Sequence, residues 1–315
     1  MSLAPNTGSV ELTAYSVHAS RLLERGERID KRALDKCRLP TVVREERFGG
    51  SAVAGVVAVS PQSPSSGNMA STNHVVDGKS LAAVMYTDSY GTCIQCTVHG
   101  LLGPPRPDQP AAGRLHVHVE APFVEHLGGG ANSTNPRSFQ YMIASGNADL
   151  PLRQLEGFIG TVLDSCFDLK QLSIYEGEAC WVLKVSVLLL SFDGGLRAGS
   201  LHAALAALHK LHLPRTRLPN GDVIAGRQVQ LSCMPVACTF GFLAGAQVQL
   251  VADTTAIEEC ITDGLITVVV NEAERILSVH HTGRCPLLAQ ALAAAAQQWI
   301  ATSGAMRKAL YGQCN

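Results

Sequence analysis

Charged side chains are scarce in this sequence, and their signs nearly balance. Only 16% of the 315 residues are Asp, Glu, Lys or Arg, 46% are hydrophobic, and the formal net charge is −1. A protein that binds nucleic acid on its own usually carries a basic excess, because phosphate contacts supply most of the non-specific affinity. The composition therefore argues against a solitary nucleic-acid binder. It stays compatible with a local basic patch, or with a site shared with neighbouring chains.

The low charge leaves two interpretations open: a large core, or broad surfaces covered by other subunits. No apolar run approaches the roughly 18 residues that a membrane span needs, so we expect no membrane association. Residues 1–6 lack the charged start and apolar stretch of a secretory signal. The ten cysteines are scattered, and several lie in apolar runs. They are interpreted as free thiols in a reducing compartment, the cytoplasm or the nucleus.

Metal-binding patterns are weak. Cys93 and Cys96 have C-x-x-C spacing, but no second pair lies at a suitable distance along the chain. His116 and His118 share one face of an alternating segment without an evident third ligand, and we expect both to be exposed, as we do for His280–His281. We therefore expect no bound metal and no cofactor.

The periodicity of apolar residues predicts strands followed by a helix, twice. Helices are predicted over Leu12–Gly26, Leu152–Phe167, Ser200–Leu211 and Leu287–Leu310. Strands are predicted over Ser51–Ser60, Leu81–Tyr86, Cys93–Val98, Arg114–Glu120, Trp181–Leu190, Val236–Ala244, Ala246–Val251, Leu265–Val270 and Ile276–His280. Loops rich in Pro, Ser and Gly are predicted over Pro61–Asn73, Leu102–Gly113 and Gly128–Ser138. The fold class is therefore α+β with two stacked halves. A helical arm (1–26) precedes the first half (27–215) and the second half (216–315), which ends in a helix.

Four stretches of the sequence carry a resemblance to one family. They are Glu27-Arg28-Ile29-Asp30-Lys31-Arg32 leading into Arg38, the segment Asp168–Val187 with its glycine turn before Trp181, Phe192-Asp193-Gly194-Gly195, and Pro235–His280 with Asp253-Thr254-Thr255 and Glu258-Glu259. The first resembles the Arg-Pro-Asp-Gly-Arg signature of RNase PH-type exosome subunits. In order and spacing, the last is similar to the exosome members described as catalytically inactive.

This resemblance implies an RNase PH fold, with two stacked β-sheet/α-helix halves similar to domain 2 of ribosomal protein S5. It further implies a place in a six-membered ring through which RNA threads, with other RNase PH-like ring subunits, cap subunits and RNA as partners. The expected role is non-catalytic support of 3′-to-5′ RNA degradation and rRNA processing in the nucleus, nucleolus and cytoplasm. The alternative is an active phosphate-dependent 3′-to-5′ exoribonuclease, alone or through a site completed by a neighbouring subunit.

The residues at the implied active site are degenerate. Active relatives carry a Gly-Gly-Thr-Arg turn that helps to bind phosphate, whereas here Leu196 replaces the hydroxyl residue before Arg197. Asp253 and Glu259 match the acidic positions, which inactive members also retain, so we assign no catalytic and no metal-binding residue. Active relatives carry an arginine pair at the start of the middle helix. Here Arg153 is the only basic residue near the start of the helix predicted over Leu152–Phe167. The RNA-binding candidates are Arg28, Lys31, Arg32, Arg153 and Arg197.

Overall fold

The fold is known from a computed structural model, which describes residues 7–44, 80–89, 91–122, 149–217, 221–244, 248–283 and 287–312. The predicted strand Ser51–Ser60 and the predicted loops Pro61–Asn73 and Gly128–Ser138 lie outside the described residues. Within those ranges, no helix is both long and apolar enough to cross a membrane.

Six of the described strands form the first sheet. They are β1 (Thr41–Arg44), β2 (Ser80–Thr87), β3 (Cys93–Gly103), β4 (Arg114–Glu120), β5 (Ser173–Tyr175) and β6 (Ala179–Ser191). Their order is β1-β2-β3-β6-β4, with β5 beside the start of β6, and only the β4–β6 pair is parallel. Strand β6 pairs with β3, β4 and β5, and it buries alternate side chains along most of its length, among them Leu183, Val185 and Leu189.

A second sheet is built from the C-terminal part of the chain. Two short ladders precede it, β7 (His212–Leu213) with β10 (Arg227–Gln228) and β8 (Thr216–Arg217) with β9 (Val223–Ile224). The sheet contains β11 (Val236–Ala244), β12 (Val248–Ala252), β13 (Gly264–Val270) and β14 (Ile276–Gly283). Its strands are antiparallel in the order β12-β11-β13-β14, and they correspond to the four strands that the sequence predicts in this region.

The helices pack against these two sheets. They are α1 (Thr7–Glu24), α2 (Asp149–Cys166), α3 (Leu196–Leu208), α4 (Ala256–Ile261) and α5 (Leu288–Tyr311), with a 3₁₀ helix at Leu169–Leu172. Helix α3 contacts β2 and β3 on one side and β11 on the other, so it lies between the sheets. Apart from Arg197, each of its residues is buried, as expected of a helix that is apolar on all faces. A single hydrophobic cluster includes residues of both sheets.

Several boundaries differ from the sequence-based predictions, and helix α1 begins at Thr7 rather than at Leu12. Helix α3 begins at Leu196 and ends at Leu208, rather than spanning Ser200–Leu211. It starts directly after Gly195, whose left-handed backbone (φ 63°) makes the turn, and His209 is already extended. The predicted loop Leu102–Gly113 is wrong at its start, because β3 continues to Gly103 where that residue pairs with Cys180 of β6. The predicted domain boundary after residue 215 stays a prediction.

Candidate functional site

A cluster of three arginines joins the segment after α1 to the start of α4. In the first of its contacts, the Nε and Nη2 atoms of Arg28 donate to the two carboxylate oxygens of Glu258, at 2.8 and 2.6 Å. Nη1 and Nη2 also donate to the backbone carbonyls of Ala252 and Asp253, at 2.8 and 3.0 Å. The Arg28 side chain is fully buried. We call Arg28, Arg32 and Arg38 the arginine cluster.

Arg38 makes a similar fork with Asp253. Its Nη2 donates to Oδ1 of Asp253 at 2.8 Å, and its Nε donates to Oδ2 at 2.9 Å. The backbone N–H of Arg38 also donates to that Oδ2, at 2.6 Å. On its other side, Nη1 lies 3.3 Å from carboxylate oxygens of Asp88 and Asp193. Such bidentate, charge-assisted pairs are the strong form of side-chain hydrogen bonding.

Arg32 completes the cluster at its more accessible edge. Its Nη1 donates to Oδ2 of Asp253 at 3.1 Å, and its Nε donates to Asp30 at 2.6 Å. Oδ2 of Asp253 therefore accepts three donors, and Oδ1 accepts one. A divalent metal needs free carboxylate lone pairs, so the Asp253 carboxylate as placed does not fit the metal chemistry of active relatives. Among the residues that the structure describes, no group of three or more His, Cys, Asp or Glu side chains could hold a metal ion.

The backbone around Asp253 is shaped for these contacts. Asp253 adopts a left-handed conformation (φ 51°), which Asp tolerates better than most residues. Its N–H donates to the carbonyl of Thr239 on β11, and the N–H of Ala252 donates to Leu34, both at 2.7 Å. Helix α4 then begins with a capping box between Thr255 and Glu258. Glu258 thus caps its own helix and binds Arg28 with the same carboxylate.

The electrostatic environment of the cluster favours the charged forms of Asp253 and Arg38. Burial alone would raise the pKa of Asp253, but its hydrogen bonds to Arg38 and the charges of Arg38 and Arg32 lower that pKa overall. Burial would lower the pKa of Arg38, yet the hydrogen bond and charge of Asp253 raise it well above its usual value. Both shifts have the sign of a mutually stabilised ion pair in a poorly solvated site.

The glycine turn before α3 lies against the same residues. Gly194 has φ 84°, and a Cβ atom built on it would come within 2.0 Å of the carbonyl oxygen of Thr254. The N–H of Gly195, the kind of donor that holds a phosphate at a helix start, donates instead to Oε1 of Glu259 at 2.7 Å. Burial raises the pKa of Glu259 to about 7, against the opposing effect of the Gly195 hydrogen bond and of Arg197. The carboxyl group of Glu259 therefore takes the place at the Gly195 N–H where a bound anion could otherwise accept a hydrogen bond.

The sequence-based RNA-binding candidates separate into accessible and inaccessible residues. Arg28 was predicted to bind RNA, and the structure corrects this prediction. Its guanidinium is buried and bound to Glu258 and to backbone carbonyls, so it is not accessible to a ligand. Arg32 is half-buried and bound to Asp30 and Asp253. Lys31 and Arg153, in contrast, are exposed. Lys31 lies in the same segment as the cluster, and its backbone N–H donates to the carbonyl of Arg28 at 3.1 Å. Arg153 lies on α2, and no described contact joins it to the cluster.

Arg197 is half-buried, and its Nε atom has no hydrogen-bond partner among the described residues. Burial lowers the pKa of Arg197, and the charge of Glu259 opposes that effect. The charge of Arg197 in turn contributes to lowering the pKa of His280 to about 4, after burial. His280 is half-buried rather than exposed, which corrects the expectation for this residue.

A small cavity of about 20 Å³ lies behind the Arg38–Asp253 pair, lined among others by Tyr86, His202 and Cys238. Burial lowers the pKa of His202 to about 3, and its Nε2 accepts the N–H of Ala237 at 2.9 Å. The imidazole is therefore neutral. Sequence reasoning missed Asp88 as a member of this region, because nothing in its spacing links the end of β2 to Arg38.

The other histidines and the C-x-x-C pair do not form a site in the described structure. The side chain of His118 is 45% exposed, which agrees with the expectation, and its Nδ1 lies 2.9 Å from Oε1 of Glu156 on α2. His116 is half-buried, so the expected exposure was wrong for this residue, and burial with nearby Arg114 lowers its pKa. Cys96 is fully buried, whereas Cys93 is half-buried beside Met85.

Comparison with protein families gives two matches along the chain. The model described as "3′ exoribonuclease family, domain 1" matches residues 79–214, and that of domain 2 matches residues 233–298. The domain 1 match contains the glycine turn, and the domain 2 match contains Asp253 and Glu259. Together the two matches cover more than half of the 315 residues.

Curated relatives and solved structures point the same way. The exosome complex component RRP45 of Danio rerio is 31% identical over 143 residues, which are 43% of this chain and 36% of that protein. Rrp42 of Aeropyrum pernix is 29% identical over 185 residues, 58% of this chain and 63% of the relative. Both relatives are thus matched over less than two thirds of their own length. An archaeal exosome core superposes with a TM-score of 0.67 at 19% identity, over 96% of this chain and 98% of the other. The structure of rice (Oryza sativa) Rrp46 superposes with a TM-score of 0.53 at 14% identity, over 89% of this chain and 96% of the other.

Replacement of Arg38 tests the strength of the cluster. We expect Arg38→Met to lower the free energy of unfolding by about 3–5 kcal/mol, because it leaves the buried carboxylate of Asp253 without its main partner. Lys36→Met is the matched control, since the Lys36 side chain is 65% exposed and its pair with Asp35 is a surface pair. Urea unfolding measures both variants. Equal, small losses would contradict the structural role of Arg38.

The raised pKa of Glu259 predicts a pH dependence of stability. The folded protein holds the Glu259 proton up to about pH 7, whereas the unfolded chain loses it near 4.5. This contribution is therefore complete below pH 4.5 and is lost as the pH rises to about 7, by about 3 kcal/mol. The lowered pKa of Asp253 has the opposite effect on stability, and this effect falls at pH values below the window of Glu259.

Compared with the natural chain, Glu259→Gln should have a higher unfolding free energy at pH 7 relative to that at pH 5, because the contribution of Glu259 is lost over this range. Glu176→Gln, at an exposed position, should leave the difference between the two pH values unchanged. Urea titrations at the two pH values give the comparison. An unaltered slope in Glu259→Gln would show that this carboxyl does not bind the extra proton.

Proposed function

Because the chain belongs to the 3′ exoribonuclease family of RNase PH-type proteins, we propose that it is a non-catalytic subunit of an exosome-type hexameric ring. In this role it supports 3′-to-5′ degradation and processing of RNA, including rRNA, by helping to guide RNA through the pore. Its partners would be other RNase PH-like ring subunits, cap subunits and the threaded RNA. The nucleus, nucleolus and cytoplasm are the proposed locations.

One observation carries the non-catalytic assignment: the arginine cluster occupies the carboxylate of Asp253. Phosphorolysis needs a carboxylate cluster for a divalent metal, donors for the attacking phosphate and arginines for the RNA backbone. Here Arg38 and Arg32 oppose the binding of a metal, because they donate the four hydrogen bonds that the Asp253 carboxylate accepts. Glu259 opposes the binding of phosphate, because it already accepts the hydrogen bond from the Gly195 N–H.

The ring assignment is supported by the named relatives, which are themselves called exosome complex components, and by the fold shared with an archaeal exosome core. A structure of the Archaeoglobus fulgidus exosome with RNA bound to the active site also superposes, with a TM-score of 0.68 at 19% identity over 95% of this chain and 98% of the other. Low net charge fits a subunit that adds a few basic residues to a shared RNA path. Lys31 and Arg153 are the exposed candidates for that contact.

A second candidate function is an active phosphate-dependent exoribonuclease, alone or through a site completed by a neighbouring subunit. Arg197 favours it, because a half-buried guanidinium whose Nε lacks a partner in the described structure is suited to binding an anion. In that version Arg197 would contact phosphate.

A degradation assay with 3′-labelled RNA, inorganic phosphate and Mg²⁺ separates the two functions. We expect the purified chain to release no nucleoside diphosphates, while an active bacterial RNase PH in parallel does. The tagged full chain, isolated from its own cells, should copurify with other RNase PH-type subunits in a complex whose mass fits a six-membered ring.

Release of nucleoside diphosphates by the chain alone, lost in Arg197→Met, would overturn the non-catalytic assignment. Arg217→Met is the matched control, because it removes an exposed arginine of β8 that is not among the RNA-binding candidates. Activity that appears only in the complex and is lost in Arg197→Met would establish the shared site instead. A monomeric chain without RNase PH-type partners would contradict the ring assignment.

A further inference from the structure

Two cysteines that lie 201 positions apart in sequence meet beside the arginine cluster. The Sγ atoms of Cys37 and Cys238 are 3.4 Å apart. Cys37 lies on the segment after α1, directly before Arg38, and Cys238 lies on β11. Both are free thiols, Cys37 half-buried and Cys238 buried.

The geometry points to a modification site: we propose that Cys37 and Cys238 form an intramolecular disulfide when the chain meets a low-molecular-weight disulfide. An S–S bond is about 2.05 Å long, so the two sulfur atoms need to approach by about 1.4 Å. Both residues line the 20 Å³ cavity behind Asp253, which gives the side chains room to rotate.

The reaction balances as two thiol–disulfide exchanges. The thiolate of Cys37, the more accessible sulfur, attacks the small disulfide, forms a mixed disulfide and releases one small thiol. The thiolate of Cys238 then attacks Sγ of Cys37, forms the internal bond and releases the second small thiol. The protein loses two electrons and two protons, and the small disulfide is reduced to two thiols.

The surroundings make the second step the slow one. Burial, the neighbouring Cys37 and the charge of Asp253 raise the pKa of Cys238 well above its usual value. Because a thiolate is the attacking species, closure should accelerate as the pH rises. The Asp253 carboxylate and the partly buried Asp193 and Asp88 carboxylates face this region, and Arg38 lies between them.

The bond would brace the arginine cluster. Cys37 precedes Arg38, which binds Asp253, and Cys238 precedes Thr239, whose carbonyl accepts the N–H of Asp253. An oxidised chain therefore holds both flanks of Asp253 by a covalent link. Cross-linking across so long a loop also restricts the unfolded chain, so the oxidised form should resist urea more than the reduced form.

The test uses the full chain, reduced and then equilibrated with oxidised glutathione over a range of glutathione ratios. Remaining thiols are alkylated, and peptides are mapped by mass spectrometry without reduction. We expect a Cys37–Cys238 peptide, loss of alkylation at both residues, and a shift of the urea midpoint to higher concentration. Cys37→Ser should lose all three.

Cys93→Ser is the matched control. Its Sγ lies 3.4 Å from a sulfur as well, but that sulfur is the thioether of Met85, which forms no disulfide. This variant should keep the Cys37–Cys238 link. Full alkylation of Cys37 and Cys238 in the folded, glutathione-treated chain would overturn the proposal. Linkage of either residue to a different cysteine, or glutathione retained on Cys37 at high pH, would also overturn it.

Discussion

The fork between Arg38 and Asp253 is the interaction on which this account depends. It joins the segment after α1 to the turn between β12 and α4, and it places the glycine turn of Gly194 against Thr254. Arg28 extends it by binding Glu258, which also caps α4. Buried charges are costly unless they are paired and hydrogen-bonded, and here each carboxylate oxygen of Asp253 has a donor. The result is an ionic network whose arginines and carboxylates bind one another.

The same network explains why the chemistry of the region differs from its sequence pattern. The family resemblance implies that Asp253 and Glu259 match the catalytic acids of active relatives, yet both carboxyl groups are engaged within the chain. Arginines donate to the carboxylate of Asp253. Glu259 accepts the Gly195 N–H, and burial raises the pKa of its carboxyl group. Retained acidic residues are therefore compatible with a structural role, because a carboxylate can stabilise a fold through the same lone pairs that would otherwise bind a metal.

Much of the fold follows from local patterns, whereas the site does not. The alternation of Leu115, Val117 and Val119 predicts β4, and the apolar run of β13 predicts a buried strand, because side-chain periodicity is a local property. The start of α3 was missed because it depends on the left-handed Gly195. The role of Arg28 was missed because Glu258 lies 230 positions away, and charge in sequence does not reveal its partner. Family resemblance located Asp253, but only coordinates show what it binds.

The most direct measurement is Mn²⁺ binding, followed by electron paramagnetic resonance of the free ion, for the natural chain beside Asp253→Asn. The arginines hold both oxygens of the Asp253 carboxylate and place positive charge beside it, which opposes a cation, so the two proteins should leave the same concentration of free Mn²⁺ throughout the titration. Tighter binding by the natural chain, lost in Asp253→Asn, would mean that the carboxylate is available to a metal and would contradict the account.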